Sequence, residues 1–311
     1  MRIIQDTNID FMRQRKLGFI FSTFLLAAGI VSLLINNGPK LSIDFKGGTL
    51  VSVQYTTDMN IPDVRNSLKN IKISGQEFDF STEEVKFFGD PSAVSIRIPL
   101  IENSPDNFAQ KIVDHLYDSF PNKVPEEKTN FVLNKGSVGP KIGAELSGKA
   151  VMAILSSLAL ILLYISIRFQ FRFALGAIAA LTHDVLITLG IFSILNYEIS
   201  LPVIAAFLTI VGYSLNDTIV IFDRIRENLK SSNKLDYPKT INQSINESLS
   251  RTLITSLTTF FVVFILWFFG GEVINSFALA MIIGVIIGTY SSVYVASPIV
   301  LLLNEKYPSN K

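Results

Sequence analysis

The sequence contains no cysteine, few charged residues and only two histidines, and each shortage excludes a class of function. Without cysteine the chain cannot form a disulfide scaffold, a thiolate metal site or a cysteine nucleophile. His115 and His183 alone are too few for a histidine-rich metal site. Charged residues make up 17% of the 311 residues, against about 25% in a soluble domain, which argues against a cytosolic enzyme. A net charge of +1 leaves no basic excess for a phosphate backbone, so we expect no nucleic-acid partner.

Hydrophobic residues, which are 49% of the chain, are concentrated in six long runs. A transmembrane helix needs about 20 apolar residues to cross about 30 Å of hydrocarbon, and each run approaches or exceeds that length. The predicted spans are Leu17–Ile35, Ala150–Ile167, Phe173–Leu195, Leu201–Phe222, Thr252–Phe269 and Phe277–Leu303. We therefore predict a polytopic α-helical protein with six transmembrane helices in a lipid bilayer.

Among the two tails and the short links between spans, lysine and arginine occur on one side of the membrane only. They are Arg13, Arg15 and Lys16 before the first span, Arg168 and Arg172 after the second, Arg224, Arg226, Lys230, Lys234 and Lys239 after the fourth, and Lys306 after the sixth. The links Asn196–Ser200 and Gly270–Ser276 contain none. Because cytoplasmic loops carry the excess of positive charge, we predict a multi-pass protein with cytoplasmic tails at 1–16 and 304–311. The first apolar run, 17–35, continues past Ala27-Ala28-Gly29, which favours an uncleaved anchor over a signal peptide.

Residues 36–149 would then lie outside the cytoplasm, before helices two to six at 150–303. Their pattern predicts strands Leu41–Phe45 and Thr49–Tyr55, helix Ile61–Asn70, strands Glu84–Phe88 and Ala93–Ile98, helix Pro105–Phe120 and strand Asn130–Asn134. The order βαββαβ predicts an inserted α+β domain of ferredoxin-like fold. No spacing of serine, histidine and aspartate there resembles a catalytic constellation. We expect a binding or structural module and no enzyme.

Ionisable residues inside the predicted spans point to the functional helices, because charge is expensive in hydrocarbon. Asp184 lies about 16 Å along the third helix at about 1.5 Å per residue, near the midplane, with Thr188 one turn further on. Asp217 lies in the cytoplasmic third of the fourth helix beside Asn216, and Arg251 opens the fifth helix at a comparable depth. A carboxyl group that alternates between protonated and ionised forms opposite an arginine can pass protons. We predict that these five residues form a proton pathway.

Other roles for these side chains stay open at this point. Arg251 could instead snorkel to the lipid headgroups, and both carboxyl groups could be capped by neighbouring serine, threonine or asparagine. An intramembrane aspartyl protease would use Asp184 and Asp217 as a dyad sharing a proton. The two depths differ by roughly one to two helical turns, which disfavours that reading.

Several strings in these segments carry a resemblance to a known family. They are Ile43–Thr49, Ser137–Pro140, Thr182–Asp184, Val211–Thr218, Asp223–Asn228 and Ser250–Thr252. The strings Gly-Tyr-Ser-Leu-Asn-Asp and Asp-Arg-Ile-Arg-Glu-Asn are the specific ones, whereas the glycine pair alone would be weak. Together they resemble the SecF family of bacterial protein translocase subunits, in the RND superfamily, over nearly the whole chain.

The resemblance implies an auxiliary subunit of the bacterial inner membrane that pairs with SecD and associates with the SecYEG channel. Such a subunit uses the proton motive force to promote late export of unfolded preproteins on the extracytoplasmic side. The resemblance also assigns Asp217 and Arg251 to the proton route, and it implies no cofactor beyond a coupling ion, which we expect to be H⁺. Six helices with a soluble domain inserted after the first are typical of one half of a repeat-built transporter. In such transporters the ion site lies at the interface between the two halves. The alternative is a homo-oligomeric RND-like exporter of small molecules.

Overall fold

The computed structural model describes residues 7–73, 75–101, 107–231 and 236–306. Lys234 and the predicted helix start at Pro105 lie outside these residues. In chain order the elements are α1 (Arg15–Ile35), α2 (Ile43–Lys46), β1 (Gly48–Gln54), α3 (Ile61–Ser67), β2 (Ile71–Ile73), β3 (Gln76–Phe78), β4 (Glu84–Phe88), β5 (Asp90–Ile98), α4 (Phe108–Ser119), α5 (Lys128–Phe131), β6 (Val132–Val138), α6 (Pro140–Arg168), α7 (Phe171–Ile194), α8 (Leu201–Ser231), α9 (Tyr237–Phe269), α10 (Glu272–Ser291), a π-helical turn (Ser292–Ala296) and α11 (Ser297–Lys306).

Six stretches of the described chain are long and apolar enough to cross a membrane, which confirms the predicted number of spans. The first five are α1, α6, α7, α8 and α9. The sixth, Ile274–Lys306, combines α10, the π-helical turn and α11. A π-helical turn is rare and is frequently found at functional sites.

The fourth and fifth helices extend well beyond their predicted apolar spans. α8 continues past Phe222 to Ser231, and α9 begins at Tyr237, where the Asp236 side chain accepts a hydrogen bond from the Lys239 backbone nitrogen and caps the helix. The two polar extensions pack together as a helical hairpin. The predicted loop between these spans is therefore mostly helical.

The chain divides into two compact units. One comprises the residues up to Lys40 together with those from Val151 onward, and the other is Leu41–Ala150. In the second unit a four-stranded antiparallel sheet has the order β4-β5-β1-β6. With α3 and α4 in the crossovers, this is the ferredoxin-like arrangement that the βαββαβ pattern predicts. Its core includes Val51, Val53, Ile96, Ile112 and Leu116, all fully buried.

Two predicted strands of this unit are wrong in place or type. Leu41–Phe45 is not a strand, because the Ser42 hydroxyl accepts a hydrogen bond from the Asp44 nitrogen and starts the short helix α2. The strand predicted at Asn130–Asn134 begins at Val132, after the helical turn α5, and continues to Val138. The two short strands β2 and β3 were not predicted, since three residues each are too few for a periodic signal.

The glycine pair between α2 and β1 has a structural reason. Gly47 and Gly48 have φ values of +76° and +130°, which favour glycine. A Cβ atom on Gly48 would lie 2.7 Å from the Ile98 carbonyl oxygen of the neighbouring strand β5. The pair therefore lets the chain leave α2 and enter the centre of the sheet without a clash.

Candidate functional site

Asp184 in α7 lies at the centre of a buried hydrogen-bond network. Its carboxylate Oδ2 accepts hydrogen bonds from Ser214 Oγ at 2.6 Å and Ser291 Oγ at 2.8 Å. Its Oδ1 lies 2.9 Å from Nδ1 of His183, and the residue is 0% exposed. One carboxyl group thus connects α7 to α8 and to the end of α10, where the π-helical turn begins.

The network continues through His183 to the first helix. His183 Nε2 lies 2.9 Å from Ser22 Oγ in α1, and this hydroxyl lies 3.0 Å from the Tyr290 hydroxyl. Tyr290 in turn donates a hydrogen bond to the Gly18 carbonyl oxygen at 2.6 Å. Thr188 is not part of this network, because its hydroxyl donates to the Asp184 backbone oxygen rather than to the carboxylate.

Asp217 in α8 is also buried, at 2% exposed, but its carboxylate is held less firmly. Ser256 Oγ of α9 donates to Oδ2 at 3.2 Å, and Thr255 Oγ1 is 3.5 Å from Oδ1, at the long limit of a hydrogen bond. Ser256 Oγ also lies 2.7 Å from the Thr289 hydroxyl of α10. The carboxylate therefore lies where α8, α9 and α10 meet.

The two carboxyl groups have no hydrogen-bond partner in common among the described residues. Asp184 is bonded through α7, α8 and α10, whereas Asp217 is bonded through α9. This arrangement gives no support to a proton-sharing protease dyad.

The structure does not bring Asp217 and Arg251 into direct contact. Arg251 is exposed, and no described carboxylate forms an ion pair with it. Asn216 is exposed as well and faces away from the interior. Asp223, further along α8, forms an ion pair with Arg168 at 3.4 Å.

Three exposed polar or small residues lie close to Asp217 along α8, or one turn along α9 from its partner Thr255. We call Gly212, Asn216 and Arg251 the Asp217 rim. All three are exposed, and a Cβ atom on Gly212 would meet no atom within 4 Å. Small and polar residues on a membrane helix are typical of a surface on which another helix packs.

Two family models match this chain. The model described as protein export membrane protein SecD/SecF, C-terminal, matches residues 122–306. The model of the SecD/SecF GG motif matches residues 32–59 and so includes the glycine pair. The chain belongs to the SecD/SecF family. The resemblance that the sequence strings indicated is confirmed.

Named relatives in this family are SecF subunits of protein translocases. The protein translocase subunit SecF of Magnetococcus marinus is 44% identical over 97% of this chain and 94% of its own length. The SecF of Vibrio alginolyticus is 42% identical over 96% of this chain and 90% of its own length. Relatives with these names support a protein-transport role in the membrane and do not favour the small-molecule exporter.

A solved SecD/SecF family structure has the same fold. The crystal structure of SecDF from Thermus thermophilus, described as a translocon-associated membrane protein, matches with a TM-score of 0.83 and 36% identity over 96% of this chain. SecDF in its super-membrane-facing form matches with a TM-score of 0.69. The match and the six spans confirm the six-helix architecture with an inserted domain. This chain spans only 39% of the first of these solved chains.

The serine and threonine residues of the two hydrogen-bond networks around the carboxyl groups were not predicted. They are Ser22, Ser214, Thr255, Ser256, Thr289 and Ser291. Hydroxyl residues interrupting apolar helices were the available signal, but such residues usually bond to their own helix backbone. Only the packing of four different helices shows which of them face a carboxylate.

Proposed function

We propose that the chain is the SecF-type half of a proton-driven export complex in the bacterial inner membrane, with both termini cytoplasmic. It pairs with SecD, works beside the SecYEG channel and uses the proton motive force to promote late export of unfolded preproteins. The proton route includes Asp217 and Arg251, with Asp184 and Asn216 in the surrounding helices.

The observation that carries this proposal is the exposed polar surface near the buried Asp217. A buried carboxyl group with two long hydrogen bonds follows an exposed asparagine in α8, and its partner Thr255 lies one turn from an exposed arginine in α9. Lipid tails cannot satisfy such groups, so polar residues at this depth face a partner or a water-filled path. A second half of related fold that covers the Asp217 rim would complete the site, as in other repeat-built transporters.

The chemistry follows from the two forms of the carboxyl group. Protonated Asp217 is neutral and tolerates a low dielectric, whereas ionised Asp217 needs its hydroxyl donors and a nearby cation such as Arg251. A movement of the partner that changes the distance between these two groups would therefore change proton occupancy. Each proton crossing the membrane releases about 2.3 kcal/mol per 100 mV of potential, which can drive a conformational cycle of the outer domain against the emerging chain.

Asp217→Asn tests the proposal, because asparagine preserves the shape and hydrogen bonding of the side chain but cannot exchange a proton. We expect the variant to insert and accumulate normally while export loses its dependence on the proton motive force. Export of a secreted reporter would be measured in membrane vesicles with and without an uncoupler.

Asp223→Asn is the matched control, since this aspartate lies six residues along the same helix in a partly exposed ion pair with Arg168. Surface ion pairs contribute only about 0–1 kcal/mol, so the control should retain most gradient-dependent export. Full gradient-dependent export by Asp217→Asn at normal protein levels would show that the aspartate is structural and that the proposed function is wrong.

A further inference from the structure

Hydroxyl side chains recur at every fourth position along α9, from its polar extension to the level of Asp217. They are Thr240, Ser244, Ser248, Thr252 and Ser256, each between 0% and 7% exposed. Residues four apart lie on one ridge of a helix, and such ridges pack into the groove of a neighbouring helix. The five side chains therefore form one continuous buried line, which we call the hydroxyl row.

The hydroxyl row contacts α8 at two levels, one near each of its ends. Ser256 donates a hydrogen bond to Asp217 Oδ2 at 3.2 Å. Three turns earlier in α9, Ser244 Oγ accepts a hydrogen bond from Asn228 Nδ2 at 3.0 Å. This far end adjoins a polar cluster that is open to solvent and consists of Arg224, Asn228 and Glu247. The row thus links the buried carboxylate to a charged surface.

Two of the five hydroxyls of the row form hydrogen bonds to their own helix. Ser244 donates to the Thr240 carbonyl oxygen, and Ser248 donates to the Ser244 carbonyl oxygen, both in the usual pattern of serine in a helix. Their oxygens still have lone pairs available to accept a second hydrogen bond. Small self-satisfied side chains of this kind would be expected from helix packing alone.

Thr252 departs from that pattern. Its hydroxyl is fully buried and has no hydrogen-bond partner among the described residues, although it lies in the row one turn from Ser256. Thr218, the residue after Asp217 in α8, also has a buried hydroxyl without a partner in the described chain. Buried polar groups are nearly always hydrogen-bonded, and where protein supplies no partner the usual one is ordered water.

We propose that the hydroxyl row lines a chain of water molecules that carries protons between Asp217 and the polar cluster on the cytoplasmic side. The proposal rests on the proposed function, in which Asp217 exchanges protons. When the carboxyl group of Asp217 gives up its proton, that O–H bond breaks as a new O–H bond forms on the first water. Each water passes one proton to the next, and the last proton enters bulk water beside Glu247, leaving Asp217 as a carboxylate.

Thr252→Val tests this route, because valine matches threonine in shape and removes only the hydroxyl. In liposomes containing the chain and its SecD-type partner, an internal pH dye would report proton uptake driven by an imposed membrane potential. We expect the flux to fall about tenfold. This is less than the roughly 100-fold that a positioned proton-transfer group contributes at the low end. Thermal stability should change little, since only one hydrogen bond, from the hydroxyl to a water, is removed. Thr252→Ser should restore the flux.

Thr23→Val is the matched control. This threonine lies exposed in α1, where its hydroxyl donates to the Phe19 carbonyl oxygen, and it should keep normal flux. If Thr252→Val conducts protons as well as Thr23→Val, while Asp217→Asn does not conduct, the water chain is wrong and the proposed function stands. If Asp217→Asn itself conducts normally, the proposed function fails.

Cysteine accessibility gives a second measurement that does not depend on transport. The chain has no native cysteine, so a single introduced thiol can be followed without background. In the same complex, Ser248→Cys should react with a small water-soluble thiol reagent added from the cytoplasmic side. Ile245→Cys, equally buried on the same helix but outside the row, should not react. Equal reactivity at the two positions would overturn the proposal.

Discussion

At the scale of single residues, the two buried aspartates differ in how well their carboxylates are satisfied. Asp184 has three side-chain partners between 2.6 and 2.9 Å, whereas Asp217 has two partners at 3.2 and 3.5 Å. Shorter and more numerous hydrogen bonds hold a carboxylate in one state and one position. Asp217 is therefore the better candidate for repeated proton exchange, and Asp184 has the larger expected effect on stability.

Asp184→Ala should destabilise the protein strongly. The change leaves His183, Ser214 and Ser291 without their shared partner, and each buried polar group left without a partner typically costs about 1–3 kcal/mol. Ser291→Ala removes a single hydrogen bond and should cost about 1 kcal/mol. Thermal unfolding in detergent, followed by loss of the monodisperse peak, would compare them. Equal midpoints for the two variants would contradict this ranking.

At the scale of elements, the membrane helices were predictable because the thickness of the hydrocarbon layer sets their minimum length. Each span needs a long apolar run, and that requirement is local to the sequence. The polar extensions of α8 and α9 were missed because they are stabilised by contacts between helices, such as Arg224 with Glu247 at 2.6 Å, and not by hydrophobic length. Likewise the serine partners of Asp184 come from positions 30 and 107 residues away, so no local spacing could reveal them.

The soluble unit shows the same division between local and tertiary information. Alternating apolar residues predicted the central strands β1 and β5, which pair directly with Val51 opposite Ile96. The region before β1 was predicted as a strand because Ile43 and Phe45 alternate with polar residues. A run of only five residues does not distinguish a strand from a helical turn reliably, and here the Ser42 hydroxyl caps a helical turn.

The packing of α1 against α7 depends on two glycines that face each other. A Cβ atom on Gly190 would lie 2.7 Å from the Gly29 Cα, so neither position has room for a side chain. The same parallel helix pair is joined by Ser32 and Ser193, whose hydroxyl oxygens are 2.8 Å apart, and by Ser22 and His183. Close approach at the glycines therefore allows the hydrogen bonds on both sides of the crossing.

Gly190→Val should separate these two helices and weaken both flanking hydrogen bonds. Overpacking a tight contact typically costs about 1–3 kcal/mol, and the lost hydrogen bonds add to that, so the unfolding temperature in detergent should fall. Gly148→Ala in α6 is the control, because its Cβ atom would meet nothing within 4 Å and alanine favours helix. A Gly190→Val protein as stable as the control would show that the crossing is not tightly packed.

At the scale of the whole molecule, the isolated chain leaves much of its membrane surface uncovered. In the most apolar stretch of α1 only 17% of the residues are buried within the chain, and in that of α6 only 11% are buried. Lipid can cover the leucine-rich parts of these helices. It cannot satisfy the Asp217 rim, where Asn216 and Arg251 are exposed, so the apolar and the polar surfaces are expected to have different neighbours.

Asn216→Trp should therefore prevent assembly with the SecD-type partner. An indole at this position is too large for the close helix approach that Gly212 and Asn216 permit, while the folded chain itself has free space there. Copurification from mild detergent would measure the complex. Leu163→Trp in α6 is the control, since this exposed leucine lies on an apolar surface that lipid can cover, and it should retain the partner. A complex of normal yield with Asn216→Trp would place the partner on another surface. Recovery of the unmodified chain only with copies of itself would instead favour a homo-oligomeric exporter.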